Sequence, residues 1–276
     1  MPELPEVETV VRGLKGLVGR RITDVEVRWE RTVAAPDVAA FGQRLRGRRV
    51  EEVGRRGKWV VIRLDGGLFL LIHLRMSGRL VVGGGTPADD RHLRVAFALD
   101  DGSRLFFYDP RKFGRMVLVE DPGEVLGGLG PEPLDEGFTV ERLRERLARR
   151  RGRLKPLLLD QRFVAGLGNI YADEVLWRAR LHPLRRADRL TEGEVARLHA
   201  AIRAVLREAI AGRGTTLEDG RYVGVDGRPG GFAPRLAVYH REGQPCLRCG
   251  TPIRRIRVNG RGTHFCPRCQ NFPDAL

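Results

Sequence analysis

The cysteines constrain this chain more than any other feature. They form Cys246-x-x-Cys249 and, sixteen residues later, Cys266-x-x-Cys269, and the sequence contains no others. Each C-x-x-C pair bends two thiolates toward one point. The stretch between the pairs is long enough for a hairpin that folds them together, so the spacing predicts a tetrahedral S4 zinc site closing a hairpin. Disulfides are the alternative use of four cysteines, and a reducing compartment disfavours them. A cytoplasmic protein is expected, because no apolar run approaches the ~20 residues that cross a bilayer. MPELPEVE also has neither the basic start nor the apolar stretch of a secretory signal. Four thiolates leave no open coordination position, so the expectation is one structural Zn2+.

Between the two pairs lies RRIRVNGRGTH. Asn259-Gly260 is a turn signal, which puts Arg261 at the hairpin tip. There it could reach a phosphate or a catalytic centre, or belong to a solvated basic loop. Charge points to a polyanionic partner: 50 Lys and Arg stand against 35 Asp and Glu, a net +15. Clustered cations attract phosphates and release their counterions on binding, so nucleic acid is the leading partner. Only Lys15, Lys58, Lys112 and Lys155 are lysines. A GC-rich coding sequence produces such a bias unaided, but a retained Lys can exchange a proton where Arg stays charged.

At 276 residues, 42% of them hydrophobic, the chain exceeds the usual single core, so two domains are expected. Pro5, Glu6 and Glu8 suit a helix start, and Val7, Val10, Val11 and Leu14 share one helical face, predicting a helix over about 5–15. From 22 to 120 the pattern changes to short apolar runs, KWVVIRL, LFLLIHL, LRVAFAL, RLFFY and RMVLV. Asp65-Gly66-Gly67 and Asp101-Gly102 mark hairpins among them, and GGGTPADD (83–90) reads as an exposed loop. The fold class is therefore α+β, with an antiparallel β-sandwich or barrel in the N-terminal part. Residues 122–137, rich in Gly and Pro, read as a linker. Helical periodicity follows in Val140, Leu143 and Leu147, in LKPLLLDQ and in IYADEVLWRA, and Thr191-x-x-Glu194 is a capping box opening a helix that ends near Gly212. Residues 213–235 are polar and Gly-rich, a pattern expected of a mobile loop. The expected domains are 1–121, 138–235 and a zinc-bearing hairpin, 236–276.

Three stretches carry possible chemistry. If the initiator Met is removed, Pro2 becomes a free secondary amine. N-terminal amines titrate near pH ~8, against ~10.4 for Lys, so a useful fraction is nucleophilic at neutral pH. Glu3 and Glu6 would bring carboxylate proton carriers to the same place, although the plainer reading is a helix start. In Gly166-Leu-Gly-Asn169-Ile-Tyr171 the glycines allow close backbone approach, and amides opening the following helix can cradle a phosphate, with Asn169 as a further donor. A tight helix connection is the alternative there. Lys155, with Arg150, Arg151 and Arg153 before it, would enlarge that phosphate-binding face. In DPRKFGR, Arg111 and Phe113 point the same way if the segment is extended. With Met76 in HLRMSG they could wedge into a base stack, although core packing accounts for Met76 equally well. His92, beside Arg91 and Arg94, fits either a phosphate contact or a strand cap.

MPELPEVET, GKW around Lys58, HLRMSG, DPRKFG, LLLDQ with GLGNIYADE, and C-x-x-C with GRGTHFCPRC occur in one order. Together they resemble the formamidopyrimidine-DNA glycosylases, bacterial enzymes that excise oxidised purines. The resemblance spans residues 1 to 272. It implies an N-terminal β-sandwich with an N-terminal helix, a helix-two-turn-helix domain with a lesion-capping loop, and a C-terminal zinc finger. It also implies roles. Pro2 would attack C1′ and form a Schiff base, Glu3 would protonate the opening sugar ring, and Glu6 would support it. Lys58 would assist the lyase steps, and Arg261 the final elimination while gripping a phosphate. Met76, Arg111 and Phe113 would fill the gap left by the extruded nucleotide, and His92, Asn169, Lys155, Arg150 and Tyr171 would lie along the DNA.

The partner implied is double-stranded DNA containing oxidised purines such as 8-oxoguanine and formamidopyrimidines, with no membrane and a monomeric enzyme. A base inside a duplex cannot reach an active site, so such an enzyme needs anchoring cations, wedges and a lid. Residues 213–235 are the expected lid, and the tail NFPDAL is expected to be dispensable. Two alternatives remain. One is an endonuclease VIII-like enzyme for oxidised pyrimidines, the other a zinc-containing DNA-binding protein without catalysis.

Overall fold

Pro5 and Glu6 open helix α1 (Leu4–Gly13), whose apolar stripe of Val7, Val10 and Val11 is buried. Pro fits the first turn, where a backbone N–H would have no helical partner. The computed structural model describes residues 1–84, 90–220 and 222–272. The loop expected at 83–90 and the tail at 271–276 therefore lie largely outside the described residues. The chain divides into two units, Met1–Gly128 with Gly212–Gly231, and Leu129–Ala211 with Phe232–Leu276.

In the first unit, β1 (Ile22–Val27), β2 (Val33–Ala35), α2 (Val38–Leu45), β3 (Val50–Arg56), β4 (Trp59–Leu64), β5 (Leu68–His73), β6 (Arg79–Gly84), β7 (Leu93–Leu99), β8 (Ser103–Tyr108) and β9 (Arg115–Val119) follow α1. They form a sheet ordered β1-β7-β8-β6 and another ordered β2-β9-β5-β4-β3. Alternation sets the faces: Val60, Ile62 and Leu64 of β4 point inward, while Trp59 and Arg63 do not. Val95, Phe97, Leu105 and Phe107 of one sheet join Val53, Ile62, Ile72 and Leu118 of the other in one core, together with Val10 and Leu14 of the α1 segment and Phe41 of α2. The sandwich and both hairpins are as expected. One pairing is not antiparallel: β2 runs parallel to β9. β1 and β3 have no apolar run of their own, because charged residues occupy their outer faces.

Within the span read as a linker, Gly123–Leu126 forms one helical turn, α3. In the second unit come α4 (Val140–Ala148), α5 (Leu154–Leu159), α6 (Asn169–Ala179) and α7 (Glu192–Ala211), then the hairpin β10 (Arg254–Val258) and β11 (Arg261–Phe265). The capping box of α7 is present: Thr191 N–H donates to Glu194 Oε2 at 2.8 Å and Glu194 N–H to Thr191 Oγ1 at 3.3 Å. α6 stops at Arg180, which takes a left-handed φ of 59°. The β10–β11 turn has Asn259 at φ 45° and Gly260 at φ 75°, the paired positive values that a two-residue hairpin requires.

Residues Gly212–Gly231 cluster with the first unit, although they were expected in a helical domain ending at 235. Their hydrogen bonds explain this. Thr215 N–H and the Tyr222 hydroxyl both donate to Glu6, and the segment closes on itself where Gly231 N–H donates to Gly212 O at 2.8 Å.

Candidate active site and nucleic-acid contacts

The start of the chain is built around the carboxylate of Glu6. Glu3 is the N-cap of α1, and its N–H donates to Glu6 Oε2 at 2.8 Å, while Thr215 N–H donates to Glu6 Oε1 at 2.8 Å. Pro2, Glu3, Glu6 and Lys58 are all buried. Met1 is 42% exposed, and its amine stands one residue outside the position a Pro2 amine would take after Met removal. Burial lowers the pKa of that amine from 8.0; Glu3 and Glu6 pull it up, Lys58 pushes it down and Asp219 pulls it up. The helix-start reading and the nucleophile reading are therefore compatible. One cap geometry starts α1 and gathers an amine, two carboxylates and a lysine.

His73, at the end of β5, stays neutral. Burial first, then the charges of Arg75 and Lys58, push its pKa down to about 3. Its Nδ1 accepts from Arg75 N–H at 3.0 Å and so fixes the chain leading to Met76, which is half-buried.

DPRKFG is a turn rather than an extended segment. The fully buried Asp109 organises it, accepting from Gly114 N–H at 2.6 Å, Arg111 N–H at 3.2 Å and the Ser77 hydroxyl at 2.5 Å. This one carboxylate ties the Met76 loop to the Arg111 loop. Arg111 and Phe113 share a side all the same, with the guanidinium 4.9 Å from the ring centroid, and Phe113 is 48% exposed. Exposed His92 joins Arg111, Arg79, Ser77 and Tyr108 around a cavity of about 380 Å3.

In the second unit Asn169 opens α6, half-buried, and its Nδ2 donates to Gly262 O at 3.0 Å. Arg261 is exposed at the hairpin tip, and Arg150 is exposed. Two expectations need correction. Lys155 is fully buried and bonded to Asp173, with a longer bond to Asn169 O at 3.3 Å, so it has no exposed face for a phosphate. Tyr171 is fully buried against Phe232, with ring centroids 6.0 Å apart, and packs in the core. A buried ammonium needs a partner, and Asp173 supplies one.

Sequence reasoning missed the acids that assemble this unit. Asp173 Oδ2 also accepts from His264 N–H at 3.0 Å. Its neighbour Glu174 accepts from the N–H groups of Ala237, Val238 and Tyr239 at 2.8, 2.9 and 2.9 Å. Burial raises the pKa of Glu174 and these three donors oppose the rise. The available signal was an Asp-Glu pair inside an otherwise apolar helix, since adjacent helix positions that are both buried must each find partners.

The four cysteine sulfurs lie within 4.8 Å of one another, and none forms a disulfide. Cys246 to Cys269 is 4.0 Å and Cys249 to Cys266 is 3.5 Å. A Zn–S bond of ~2.3 Å in a tetrahedron separates sulfurs by ~3.8 Å, so the donor set fits one structural zinc. Trp177 Nε1–H points at Cys246 Sγ, 3.4 Å away. No helix among the described residues is long and apolar enough to cross a membrane.

Three family models match in order: the formamidopyrimidine-DNA glycosylase N-terminal domain over residues 1–116, the formamidopyrimidine-DNA glycosylase H2TH domain over 129–219, and the zinc finger found in FPG and IleRS over 243–271. The formamidopyrimidine-DNA glycosylase of Pelotomaculum thermopropionicum is 49% identical over 277 residues, covering 98% of this chain and 99% of its own. That of Roseiflexus sp. is 50% identical over 274 residues, covering 98% and 100%. Among solved structures, MutM (Fpg) from Thermus thermophilus superimposes with a TM-score of 0.88 at 48% identity, covering 98% of each chain. Lactococcus lactis Fpg in complex with abasic-site DNA gives 0.90 at 36% identity, covering 98% of this chain and 100% of that one.

Proposed function

The chain belongs to the formamidopyrimidine-DNA glycosylase family, and on that premise we propose that it is a DNA glycosylase and AP lyase that excises oxidised purines through a Schiff base at Pro2. The observation that carries this reading is the burial of Pro2 together with Glu3, Glu6 and Lys58, at a place where burial lowers the pKa of the Met1 amine one residue further out. An amine with a lowered pKa is free to attack at neutral pH. The Pro2 nitrogen forms a bond to C1′ of the damaged nucleotide as the C1′–base bond breaks, and the proton lost from that nitrogen goes to the departing base. Glu3 then gives a proton to the sugar ring oxygen, the ring opens, and an iminium remains. Eliminations at the 3′ and then the 5′ carbon–oxygen bonds release the strand ends, with Lys58 moving protons and Arg261 gripping a phosphate.

Duplex DNA is the proposed partner, consistent with the lesion and abasic-site DNA held by the Lactococcus lactis protein. Arg111, Phe113 and Met76 fill the gap left by the flipped nucleotide, His92, Asn169 and Arg150 hold phosphates, and residues of the 213–235 segment cap the lesion. Zinc, held by the four cysteines, supplies no chemistry beyond fixing the hairpin that carries Arg261.

Borohydride trapping on a duplex with 8-oxoguanine opposite cytosine, followed by mass mapping, tests the reading. An adduct at Pro2 is expected. Protein with a verified free Pro2 that forms no adduct would leave a DNA-binding protein without catalysis. A strong preference for thymine glycol over 8-oxoguanine would move the substrate to oxidised pyrimidines.

A further inference from the structure

Two non-glycine residues of the first unit take a left-handed backbone immediately before an expected wedge. Arg75, at φ 55°, precedes Met76, and Lys112, at φ 60°, precedes Phe113. Residues with a Cβ rarely adopt that conformation, and it persists only where the surroundings hold it. For Arg75 the holder is His73, whose Nδ1 accepts the Arg75 N–H at 3.0 Å. Lys112 has a longer backbone tie, its N–H reaching Asp109 O at 3.3 Å. Its side chain supplies a second. The ammonium stands 3.9 Å from the centroid of the Trp29 ring, and among the described residues it pairs with no carboxylate. Trp29 is itself fixed: its N–H and that of Arg28 donate to Arg94 O at 3.3 and 2.8 Å, and the buried Arg94 side chain donates through Nε to Asp109 O at 2.8 Å. Lys112, Trp29, Arg94 and Asp109 therefore form a closed circuit of contacts.

The indole Nε1–H of Trp29 is buried without a hydrogen-bond partner, so the ring is held by packing and by the ammonium on its face. Cation–π attraction acts on that face even when the lysine is partly exposed. We infer that Lys112 and Trp29 are positioning residues: their contact holds the turn in the left-handed form that sets Arg111 and Phe113 together, ready to enter the duplex as the damaged nucleotide leaves it. The inference rests on the reading that those two side chains fill the gap. Without the ammonium on the indole, the strained turn relaxes toward right-handed conformations, and the Arg111 guanidinium loses its place 4.9 Å from the Phe113 ring. Neither Lys112 nor Trp29 needs to touch the nucleotide.

A double-variant cycle tests this on the zinc-loaded full chain with a free Pro2. Trp29→Leu removes the ring face, Lys112→Met removes the charge and keeps the stem, and Lys112→Arg keeps a cation for the ring. Single-turnover excision of 8-oxoguanine opposite cytosine is timed at saturating enzyme, and 2-aminopurine beside the lesion reports entry of the turn into the duplex. Losing one cation–π contact shifts a conformational population by about 2- to 5-fold, so Lys112→Met and Trp29→Leu should each slow excision and the 2-aminopurine signal by about that factor. The double variant should be no slower than either single one, and Lys112→Arg should keep the unmodified rate. Unmodified rates in both single variants would overturn the inference. So would losses that multiply in the double variant, the result expected if Lys112 met a phosphate on its own, or an equal loss in Lys112→Arg and Lys112→Met. Arg111→Ala/Phe113→Ala in the same assay separates the two readings. If it slows nothing, the gap-filling reading fails; if it slows excision while the Lys112 and Trp29 variants do not, only the positioning role fails.

Discussion

The backbone N–H of His264 donates to Asp173 Oδ2 at 3.0 Å, across 91 positions of sequence, while the other oxygen of that carboxylate holds Lys155. One side chain of α6 thus ties the zinc-bearing hairpin to α5, and with them the segments that carry Arg261 and Asn169. Neither side chain has any solvent exposure.

Replacing Asp173 by Leu strands a buried ammonium, which should destabilise the chain by roughly 3–5 kcal/mol in urea unfolding. Lys155→Met in the same background removes the stranded charge and should restore much of the loss. If the double variant is as unstable as the single one, the pair is not the source of the effect.

The amine at the start of the chain makes a pH prediction. Burial lowers its pKa in the folded protein below the unfolded value of 8.0, so the unfolded chain binds the proton more readily. The contribution to stability is therefore complete above pH ~8 and falls as pH drops toward the folded pKa. Pro2 is buried where Met1 is 42% exposed, so trapping by the processed enzyme should keep its rate below pH ~8. A rate that falls away with an apparent pKa of ~8 or higher would contradict a desolvated nucleophile. Protein retaining Met1 should trap nothing at Pro2.

Metal removal should be readable from Trp177, whose N–H lies 3.4 Å from Cys246 Sγ. Chelation frees four thiols, unfolds the β10–β11 hairpin and should change Trp177 fluorescence, a signal that Trp177→Phe abolishes while the thiols still appear. DNA binding weakens with it. An apo-protein with an intact hairpin would show that apolar packing, not the metal, holds it.

Gly214 tests the link between Glu6 and the 212–231 segment. It has φ +81°, and a Cβ there would stand 2.7 Å from Glu6 Oε1. Gly214→Ala therefore strains the backbone and displaces the carboxylate, and should cost about 1–3 kcal/mol and slow excision about 10-fold or more. Gly220→Ala is the comparison: its φ is +61° but nothing lies within 4 Å, so it carries backbone strain without the collision. Equal excision rates in the two variants would exclude Glu6 from the reaction.

Much of this protein could be read locally. The spacing of the cysteines located the metal site, short apolar runs between turn signals located β4, β5 and β7 to β9, and Thr191 with Glu194 marked the start of α7. These features are legible because each depends on neighbours within a turn, a strand or a hairpin. At DPRKFG the segment is not extended, and Arg111 and Phe113 meet because Asp109 folds the turn.

What the sequence determined by itself was which residue types were present and which local elements they form. Tertiary structure decided which charges face solvent. Lys155 and Arg150 sit five residues apart in one basic run, yet one is sealed against Asp173 and the other is exposed beside a cleft. Periodicity says that Lys155 shares a buried helical face, but only the arrival of Asp173 and β11 from elsewhere in the chain makes burial of its charge affordable. The same holds for Glu6, whose partners come from its own cap and from a segment 209 positions away. Burial of these two charges rests in part on long-range partners, and no short stretch of sequence contains those.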